Sequence, residues 1–409
     1  MRLGLTKANM TASFIQDMQN KNSAIKREML HICIKQGKAS IAEFSHKLGI
    51  SIPTATKLIQ ELMAENFLLP HGKIGTKGGR RPSIYGVNPN SGYFLGVNLS
   101  RQHLHIAISD FKGQIIHNIE DIPFVLVDTP ESFSTLCKLI KDYVSKTKVP
   151  WPKVMGAGIS LSGRVNPEKG YSLSYFVKSE IPLNEFFQKE LNIPVTIEND
   201  SRAMAYGEYM TLGDKADPNM LFVNIGWGLG MGLVNNGNLY YGKSGFSGEV
   251  GHFPILDNNI MCRCGKIGCL ETGVSGKALS VMLAKKLDEG RKSSLAQIYK
   301  EKKTISFDDI MNAIVHEDTL TIECIEQMGN ILGRVMAGLI NIFNPGLVLI
   351  GGRLSAAGDY LMLPIKSAAH KYSMTKVLDD TKFTMSTLGR KAATIGDCLL
   401  SRDKLLGIM

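Results

Sequence analysis

The spacing of apolar side chains changes character near residue 90. Before this point, apolar residues recur at the three- and four-residue intervals of amphipathic helices, as at Ile25, Met29 and Ile32. After it, short apolar runs such as YFLGVNLS alternate with helical stretches, which is typical of α/β folds. The pattern predicts a helical first domain, residues 1–90, followed by a larger α/β body.

Three helices account for most of the first domain. We expect one from about Ser23 to Lys35, a second capped by Ser40, a turn at Gly49 and a third helix capped by Ser51. The third helix has a stripe of apolar residues that we predict to face inward: Ile52, Ala55, Leu58, Ile59, Leu62 and Met63.

Helix, short turn and helix form the helix-turn-helix arrangement, in which the first residues of the second helix reach base edges in the major groove. The residues in question here are Ser51, Thr54, Thr56 and Lys57. They are our candidate contacts to double-stranded DNA.

Two short extended pieces, NFLLPHG and SIYGVN, flank the sequence KIGTKGGRRP and predict a β-hairpin wing. Its tip would carry Lys77, Arg80 and Arg81, which suit the negative potential of a narrow minor groove. Residues 1–90 contain 13 Lys+Arg and 5 Asp+Glu, whereas the remaining chain contains 34 and 32. This asymmetry favours a DNA-binding domain over the alternative, a helical protein-interaction module with a basic linker.

The composition is that of an ordinary globular protein, with 409 residues, 44% hydrophobic and 21% charged. No apolar run approaches the ~20 residues that a membrane-spanning helix requires, and the N-terminus lacks the features of a signal peptide. Four of the seven cysteines are scattered, which favours reduced thiols and a cytoplasmic location.

One short loop concentrates metal-binding chemistry. Three cysteines lie within eight residues, Cys262, Cys264 and Cys269, and His252 precedes them by ten residues. Gly265 and Gly268 allow sharp turns between the thiols. Four such ligands on one loop predict a tetrahedral Zn²⁺ site, and the alternative is a cysteine-bearing loop without metal.

The loop resembles the zinc loop of the ROK family (repressors, open reading frames and sugar kinases), whose pattern is G-E-x-G-H followed by C-x-C-G-x-x-G-C-x-E. All fixed positions of that pattern are present. The resemblance implies that His252, Cys262, Cys264 and Cys269 bind a structural zinc, with no coordination position left for catalysis. It extends from about Ser23 to the C-terminus and includes the G-G-R-R-P linker of ROK repressors.

The resemblance also implies an actin-like ATPase fold with two lobes after the winged helix-turn-helix. We assign the first lobe to residues 91–200 and 390–409, and the second to residues 201–389 with the zinc loop. An effector sugar would bind between the lobes through seven residues, which are Ser162, Gly163, Asn199, Asp200, Glu249, His252 and Glu271. From the residues alone, a tight turn at Ser162-Gly163 and helix capping by Asn199 and Asp200 remain alternatives. Ser160 is a further candidate donor to sugar hydroxyls.

Two glycine-rich segments differ from those of the family's kinases. Asn98 and residues 100–103 stand where the kinases have G-x-D-x-G-G-T-K, and Trp227 replaces the threonine of G-T-G-x-G-x-G. Both segments approach ATP phosphates in the kinases, so these changes argue against an enzyme. Asp200 matches the base of the kinases.

These observations favour a sugar-responsive DNA-binding transcriptional regulator, a repressor that binds a palindromic operator as a homodimer or a higher homo-oligomer. The effector would be a sugar or a sugar phosphate, which the sequence does not specify. The alternatives are an ATP-dependent sugar kinase with a DNA-binding arm, and a sugar-binding scaffold without DNA binding.

Overall fold

A computed structural model describes residues 13–17, 20–73, 82–100, 102–175 and 181–408. The chain divides into two compact units, the first formed by residues 1–200 and 393–409 and the second by residues 201–392. The predicted wing-tip residues Lys77, Arg80 and Arg81 lie outside the described residues.

The first unit begins with the predicted helices and hairpin. The elements are α1 (Ser13–Gln16), α2 (Lys21–Gln36), β1 (Ala39–Ser40), α3 (Ile41–Leu48), α4 (Ile52–Ala64), β2 (Leu68–Lys73) and β3 (Ser83–Val87). The strands form a sheet in the order β1-β3-β2, in which β2 and β3 make the antiparallel hairpin. This is the winged helix-turn-helix arrangement expected from the sequence.

Local signals set the boundaries of α3 and α4. Ser40 and Glu43 form a capping box at the start of α3, and Gly49 ends that helix with a φ of 61°. The Ser51 side chain accepts a hydrogen bond from the Thr54 N–H and caps α4. The predicted caps and turn are therefore confirmed.

One predicted inward position is wrong. Ala55, Leu58, Ile59 and Leu62 are buried along α4, but Ile52 is 58% exposed. Ile52 is the first residue of the helix, so the apolar stripe extends one turn beyond the elements that cover it.

The body contains the remaining elements. They are β4 (Tyr93–Leu99), β5 (His103–Asp110), β6 (Ile115–Pro123), α5 (Pro130–Ser145), β7 (Val154–Leu161), β8 (Val165–Asn166), β9 (Tyr171–Ser172), α6 (Leu183–Leu191), β10 (Val195–Asn199), α7 (Asp200–Leu212), β11 (Met220–Ile225), β12 (Leu229–Asn235), β13 (Asn238–Leu239), α8 (Gly276–Asp288), α9 (Ala296–Lys302), α10 (Phe307–Val315), α11 (Thr319–Phe343), β14 (Leu347–Gly351), α12 (Asp359–Tyr372), α13 (Thr375–Leu378), β15 (Lys382–Met385) and α14 (Ala392–Leu406).

Each unit of the body contains one five-stranded mixed sheet. In the first unit the strand order is β10-β7-β4-β5-β6, with β7 and β10 parallel to β4 and with β5 antiparallel to it. In the second unit the order is β13-β12-β11-β14-β15, again with an antiparallel pair beside parallel strands. The helices α8, α10, α11 and α12 supply most of the apolar core against the second sheet. The α/β class predicted for the body is confirmed.

The winged helix-turn-helix shares a hydrophobic core with the first sheet. The Phe67 ring lies 5.2 Å from Phe14 and 5.3 Å from Phe111, and Phe111 lies 5.9 Å from Phe94. Three of the four rings are at most 3% exposed, and Phe67 is 5% exposed. These side chains therefore join helix α1 and the hairpin to strands of the body.

Backbone contacts strengthen this junction. The Asn88 side chain donates to the Asn66 carbonyl at 2.8 Å, and the Asn88 N–H donates to the Phe67 carbonyl at 2.9 Å. The Phe111 N–H donates to the Pro89 carbonyl at 3.1 Å. The connection between hairpin and body is thus hydrogen-bonded rather than an extended linker.

Within the described part of the chain, no helix is long and apolar enough to cross a membrane.

We predict that Phe111→Ala lowers the free energy of unfolding by about 3–5 kcal/mol, because it removes a buried ring at the junction and leaves a cavity. Amide hydrogen exchange should increase in α4 as well as in β5. Urea denaturation and exchange mass spectrometry measure the two effects. Phe253→Ala is the matched control, since Phe253 is 50% exposed, and it should change neither. Unchanged amide exchange in α4 of the Phe111 variant would show that packing at the junction does not stabilise the helices of the first domain.

Candidate functional site

The four predicted metal ligands converge in the second unit. One potential ligand atom from each of His252, Cys262, Cys264 and Cys269 lies within 4.8 Å of all the others. The Cys264 and Cys269 sulfurs are 3.6 Å apart, and the Cys262 sulfur is 3.5 Å from His252 Nδ1. Zinc–sulfur bonds of about 2.3 Å in a tetrahedron place sulfurs about 3.8 Å apart, so the cluster has the dimensions of a zinc site.

The loop backbone explains why the ligands meet. The Cys262 N–H donates to the Lys266 carbonyl, and the Gly265 N–H donates back to the Cys262 carbonyl, which closes a tight turn around the first two thiols. Gly268 has a φ of 79°, and a Cβ there would lie 2.6 Å from the Leu256 carbonyl oxygen. Both turns depend on glycine at these positions.

The three thiols of the cluster shift one another's pKa values. Burial and the neighbouring thiols of Cys264 and Cys262 raise the pKa of Cys269 to about 12. Zinc binds the thiolate, so binding must displace this proton. His252 directs Nδ1 towards the Cys262 thiol, while its Nε2 lies 3.7 Å from the Glu249 carboxylate, on the side where a second-layer carboxylate stands in many zinc sites.

The second predicted carboxylate of this unit lies on the other side of the loop. Glu271 follows Cys269 in a short 3-10 turn, Leu270–Thr272, and its Oε2 accepts a hydrogen bond from the Leu229 N–H at 3.1 Å. Glu249 precedes the corresponding turn, Val250–His252. Contacts between these two turns hold Glu249 and Glu271 beside the metal cluster.

The predicted sugar residues of the first unit also come together. Strands β7 and β10 are parallel neighbours, so residues after Leu161 meet residues at the end of β10. The Ser162 hydroxyl donates to Asp200 at 2.9 Å, and the Asn199 amide donates to Asp200 at 3.1 Å and to the Gly163 carbonyl at 2.9 Å. The four residues thus form one hydrogen-bonded cluster around the Asp200 carboxylate.

Ser160 is not available to a sugar. It is fully buried, its hydroxyl donates to Asp397 at 2.6 Å, and it accepts a hydrogen bond from the Asn98 amide at 2.9 Å. The expectation that it donates to sugar hydroxyls is therefore wrong. Residue 160 points to the α14 side of the sheet, two positions before Ser162 in the strand.

Ser160 belongs to a row of buried polar residues that sequence reasoning missed. Glu198, Ser160, Asn98 and His105 pair across four adjacent strands, and all are at most 9% exposed. Asp397 of α14 joins the row through Ser160. The sequence shows a polar residue inside each of these four apolar strands, which was a signal of a buried polar group. The pairing of the strands is needed to show that the four residues are neighbours.

Asp397 is the most deeply buried carboxyl of this row. It is 0% exposed, and its Oδ1 has no hydrogen-bond partner among the described residues. Burial raises its pKa well above the usual value, and the Glu198 and Asp200 carboxylates raise it further, against the opposing effect of the Ser160 hydrogen bond. The native state therefore favours the protonated carboxyl.

Trp227 lies in the glycine-rich turn between β11 and β12. Its ring packs edge-on against Phe307 at 6.1 Å, and the Arg353 guanidinium lies over the same Phe307 at 4.6 Å. The Lys277 N–H donates to the Trp227 carbonyl at 3.2 Å. The indole is thus partly buried and packs against the apolar core of the second unit.

The DNA-contact candidates occupy the first turns of α4. Lys57 is 72% exposed in its side chain and lies 4.0 Å from Glu61. The Ser51 and Thr54 hydroxyls are 2.8 Å apart, and the Thr56 hydroxyl donates to the Ile52 carbonyl at 2.8 Å. These three hydroxyls therefore bond within the helix as well as facing outward.

We predict that the purified protein contains about one zinc per chain, and that Cys264→Ser loses most of it because three ligands hold the ion less tightly than four. Elemental analysis by mass spectrometry measures the content. Cys324→Ser is the control, since Cys324 is a buried thiol of α11 outside the loop, and it should retain the metal. A metal-free wild-type protein would contradict the zinc assignment.

We predict that Asp397→Asn stabilises the protein at pH 8 relative to wild type, with a smaller difference at pH 5. Because folding raises the pKa of Asp397, the contribution of this carboxyl to the free energy of unfolding is fully present below its unfolded pKa of about 4. This contribution is lost as the pH rises towards the pKa of Asp397 in the folded protein. The amide keeps the acceptor for Ser160 but carries no charge. Thermal unfolding at the two pH values measures the effect.

Asp403→Asn is the control for the Asp397 variant, because Asp403 is equally buried but pairs with Arg402 at 2.7 Å. It should destabilise the protein at both pH values. A pH-independent difference between Asp397→Asn and wild type would show that Asp397 does not titrate in this range.

Comparisons with known proteins identify the family. A sequence model described as the ROK family matches residues 94–404. The xylose repressor of Caldicellulosiruptor bescii is 29% identical over 365 residues, which cover 87% of this chain and 90% of that protein. The N-acetylglucosamine repressor of Escherichia coli O157:H7 is 23% identical, with 91% of each chain covered.

A glucokinase of Halalkalibacterium halodurans is 29% identical over 308 residues, which cover 74% of this chain and 93% of that enzyme. The crystal structure of a ROK family transcriptional regulator, a homolog of the E. coli MLC protein, superposes with a TM-score of 0.80 at 27% identity and covers 94% of this chain and 97% of that one. The chain belongs to the ROK family.

Proposed function

We propose that this protein is a sugar-responsive, DNA-binding transcriptional repressor. In this proposal residues 1–90 bind the operator, residues 91–200 with 390–409 and residues 201–389 form the two sugar-binding lobes, and a structural zinc orders the loop beside Glu249 and Glu271. The protein binds DNA as a homodimer, because two readers related by a two-fold axis match a palindromic site.

The winged helix-turn-helix before the family match is the observation that carries this proposal. Helix α4 presents Lys57 to solvent beside Ser51, Thr54 and Thr56, and the surrounding domain has a strong excess of basic residues. The repressor relatives match 87% and 91% of the chain, whereas the glucokinase matches 74%. The wing residues Lys77, Arg80 and Arg81 are proposed to contact phosphates or the minor groove.

Sugar recognition is proposed to rest on carboxylates and amides that suit hydroxyl groups. Ser162 and Asn199 donate hydrogen bonds to the Asp200 carboxylate, a group that also accepts hydrogen bonds from sugar hydroxyls. Glu249, Glu271 and His252 are rigidly placed by the zinc loop and are proposed to bind the same sugar. The relatives are named for xylose and N-acetylglucosamine, so a pentose or an aminohexose derivative is the expected class.

Regulation requires that the sugar bind more tightly to one of two states that differ in DNA affinity. The DNA-binding helices belong to the same compact unit as Asn199 and Asp200 and share a hydrophobic core with its sheet. A sugar bound at Asn199 and Asp200 therefore contacts the unit that contains these helices.

We propose that the protein is not a kinase. The kinase carboxylate at position 98 is an amide here, and this amide donates to Ser160, whereas metal-bound ATP requires an acidic ligand. Trp227 packs into the core at the second glycine-rich turn. The sugar kinase remains the second candidate because Asp200, the base of the family's kinases, is retained.

The test of DNA binding is an electrophoretic or anisotropy assay with DNA upstream of the protein's own and neighbouring genes. We expect specific binding that one sugar of a xylose, glucose and N-acetylglucosamine panel alters, with the phosphorylated sugars in parallel. Lys57→Ala should reduce operator affinity by about five- to tenfold, because it removes an exposed cation from the reading helix. Lys376→Ala, an exposed lysine of α13, is the control and should bind as wild type.

Asp200→Asn tests the sugar site. It keeps the shape of the side chain but removes the charge that accepts from hydroxyls, so sugar affinity should fall at least tenfold while operator affinity without sugar stays unchanged. Calorimetry measures the first and anisotropy the second. Sugar-dependent ADP release that disappears in this variant, without specific DNA binding, would instead establish the kinase.

A further inference from the structure

The outer face of α4 is more apolar than the sequence pattern predicts. Ile52 is 58% exposed, the neighbouring Pro53 is exposed, and Lys57 and Gln60 are exposed on the same side of the helix. A β-branched apolar side chain at the first residue of this helix is held away from the core that buries Ala55 and Leu58.

The hydroxyl groups on this face already have partners. Ser51 caps the Thr54 N–H at 3.2 Å and bonds the Thr54 hydroxyl. Thr56 donates its only hydroxyl proton to the Ile52 carbonyl. The Ser51–Thr54 pair has two hydroxyl protons and one mutual hydrogen bond, so one proton is left to donate. A base edge at the start of the helix would therefore meet this single donor and the Ile52 side chain, with Lys57 and Gln60 further along.

We propose that Ile52 is a specificity-determining residue that packs against the C5-methyl group of a thymine in the operator. This inference rests on the proposed function. The thymine methyl is the one apolar feature of the major-groove code, and first-turn residues of the second helix are those that reach base edges. Gln60, a residue type that pairs with adenine N6 and N7, fits the same preference for A·T pairs.

Charge selects DNA as the occupant of this face. The domain carries a large excess of Lys and Arg over Asp and Glu, and Lys57, five residues after Ile52 in the same helix, has most of its side chain in solvent. An apolar protein partner would leave the positive charge of Lys57 and of this basic domain uncompensated, whereas DNA phosphates neutralise it. A protein partner is the competing outcome of the test.

The experiment uses the full-length protein and its footprinted operator, in which each thymine is replaced singly by deoxyuridine, which lacks only the 5-methyl group. Wild type should lose about three- to tenfold affinity at one thymine per half-site, the loss expected when one buried methyl contact is removed. Ile52→Ala should bind the unmodified operator correspondingly more weakly and should no longer distinguish thymine from uracil there. Ile52→Val should retain most of the discrimination.

Ile116→Ala is the matched control, because Ile116 is an exposed isoleucine of β6 that is 40% accessible, and it should discriminate as wild type. Thermal unfolding confirms that the variants fold. If wild type binds the operator but no thymine is sensitive, or if Ile52→Ala keeps the full discrimination, the inference is wrong while the proposed function stands. Absence of any specific operator would overturn the proposed function itself.

Discussion

The packing of Phe67 between Phe14 and Phe111 is the contact on which the arrangement of the first unit depends. It joins a helix and hairpin of the N-terminal domain to strand β5 of the body, and buried rings at 5–6 Å separation favour edge-to-face geometry. Because packed cores transmit displacement instead of absorbing it, the DNA-binding helices follow the first sheet as one body. A regulator built in this way needs no flexible linker to sense its ligand.

Helix α14 connects this core to the polar interior of the sheet. Its Cys398 and Leu406 side chains belong to the core shared with the first domain, while Asp397 receives the Ser160 hydrogen bond from β7. Strand β7 also leads into Ser162, which orients Asp200. Strand β7 and the residue that follows it therefore contact both α14, through Ser160, and the Asp200 cluster, through Ser162.

Features encoded by local spacing were predictable from the sequence, and features encoded by distant contacts were not. The caps at Ser40 and Ser51 follow from the side chain and the next three residues, and the metal cluster lies on one loop. Ile52 was misplaced because periodicity shows which side of a helix is apolar but not where its tertiary cover ends. The hydrogen bond between Ser160 and Asp397 joins residues 237 positions apart, and a local sequence pattern does not predict such a contact.

The direction of the hydrogen bonds in the polar row explains why residue 98 is an amide. Ser160 has one hydroxyl proton, which it donates to Asp397, so its oxygen requires a donor from the other side. The Asn98 amide supplies that donor. An aspartate at this position would place a third buried carboxyl beside Glu198 and Asp397. The Asn98 amide thus completes the hydrogen bonding of Ser160 in the row that joins α14 to the sheet.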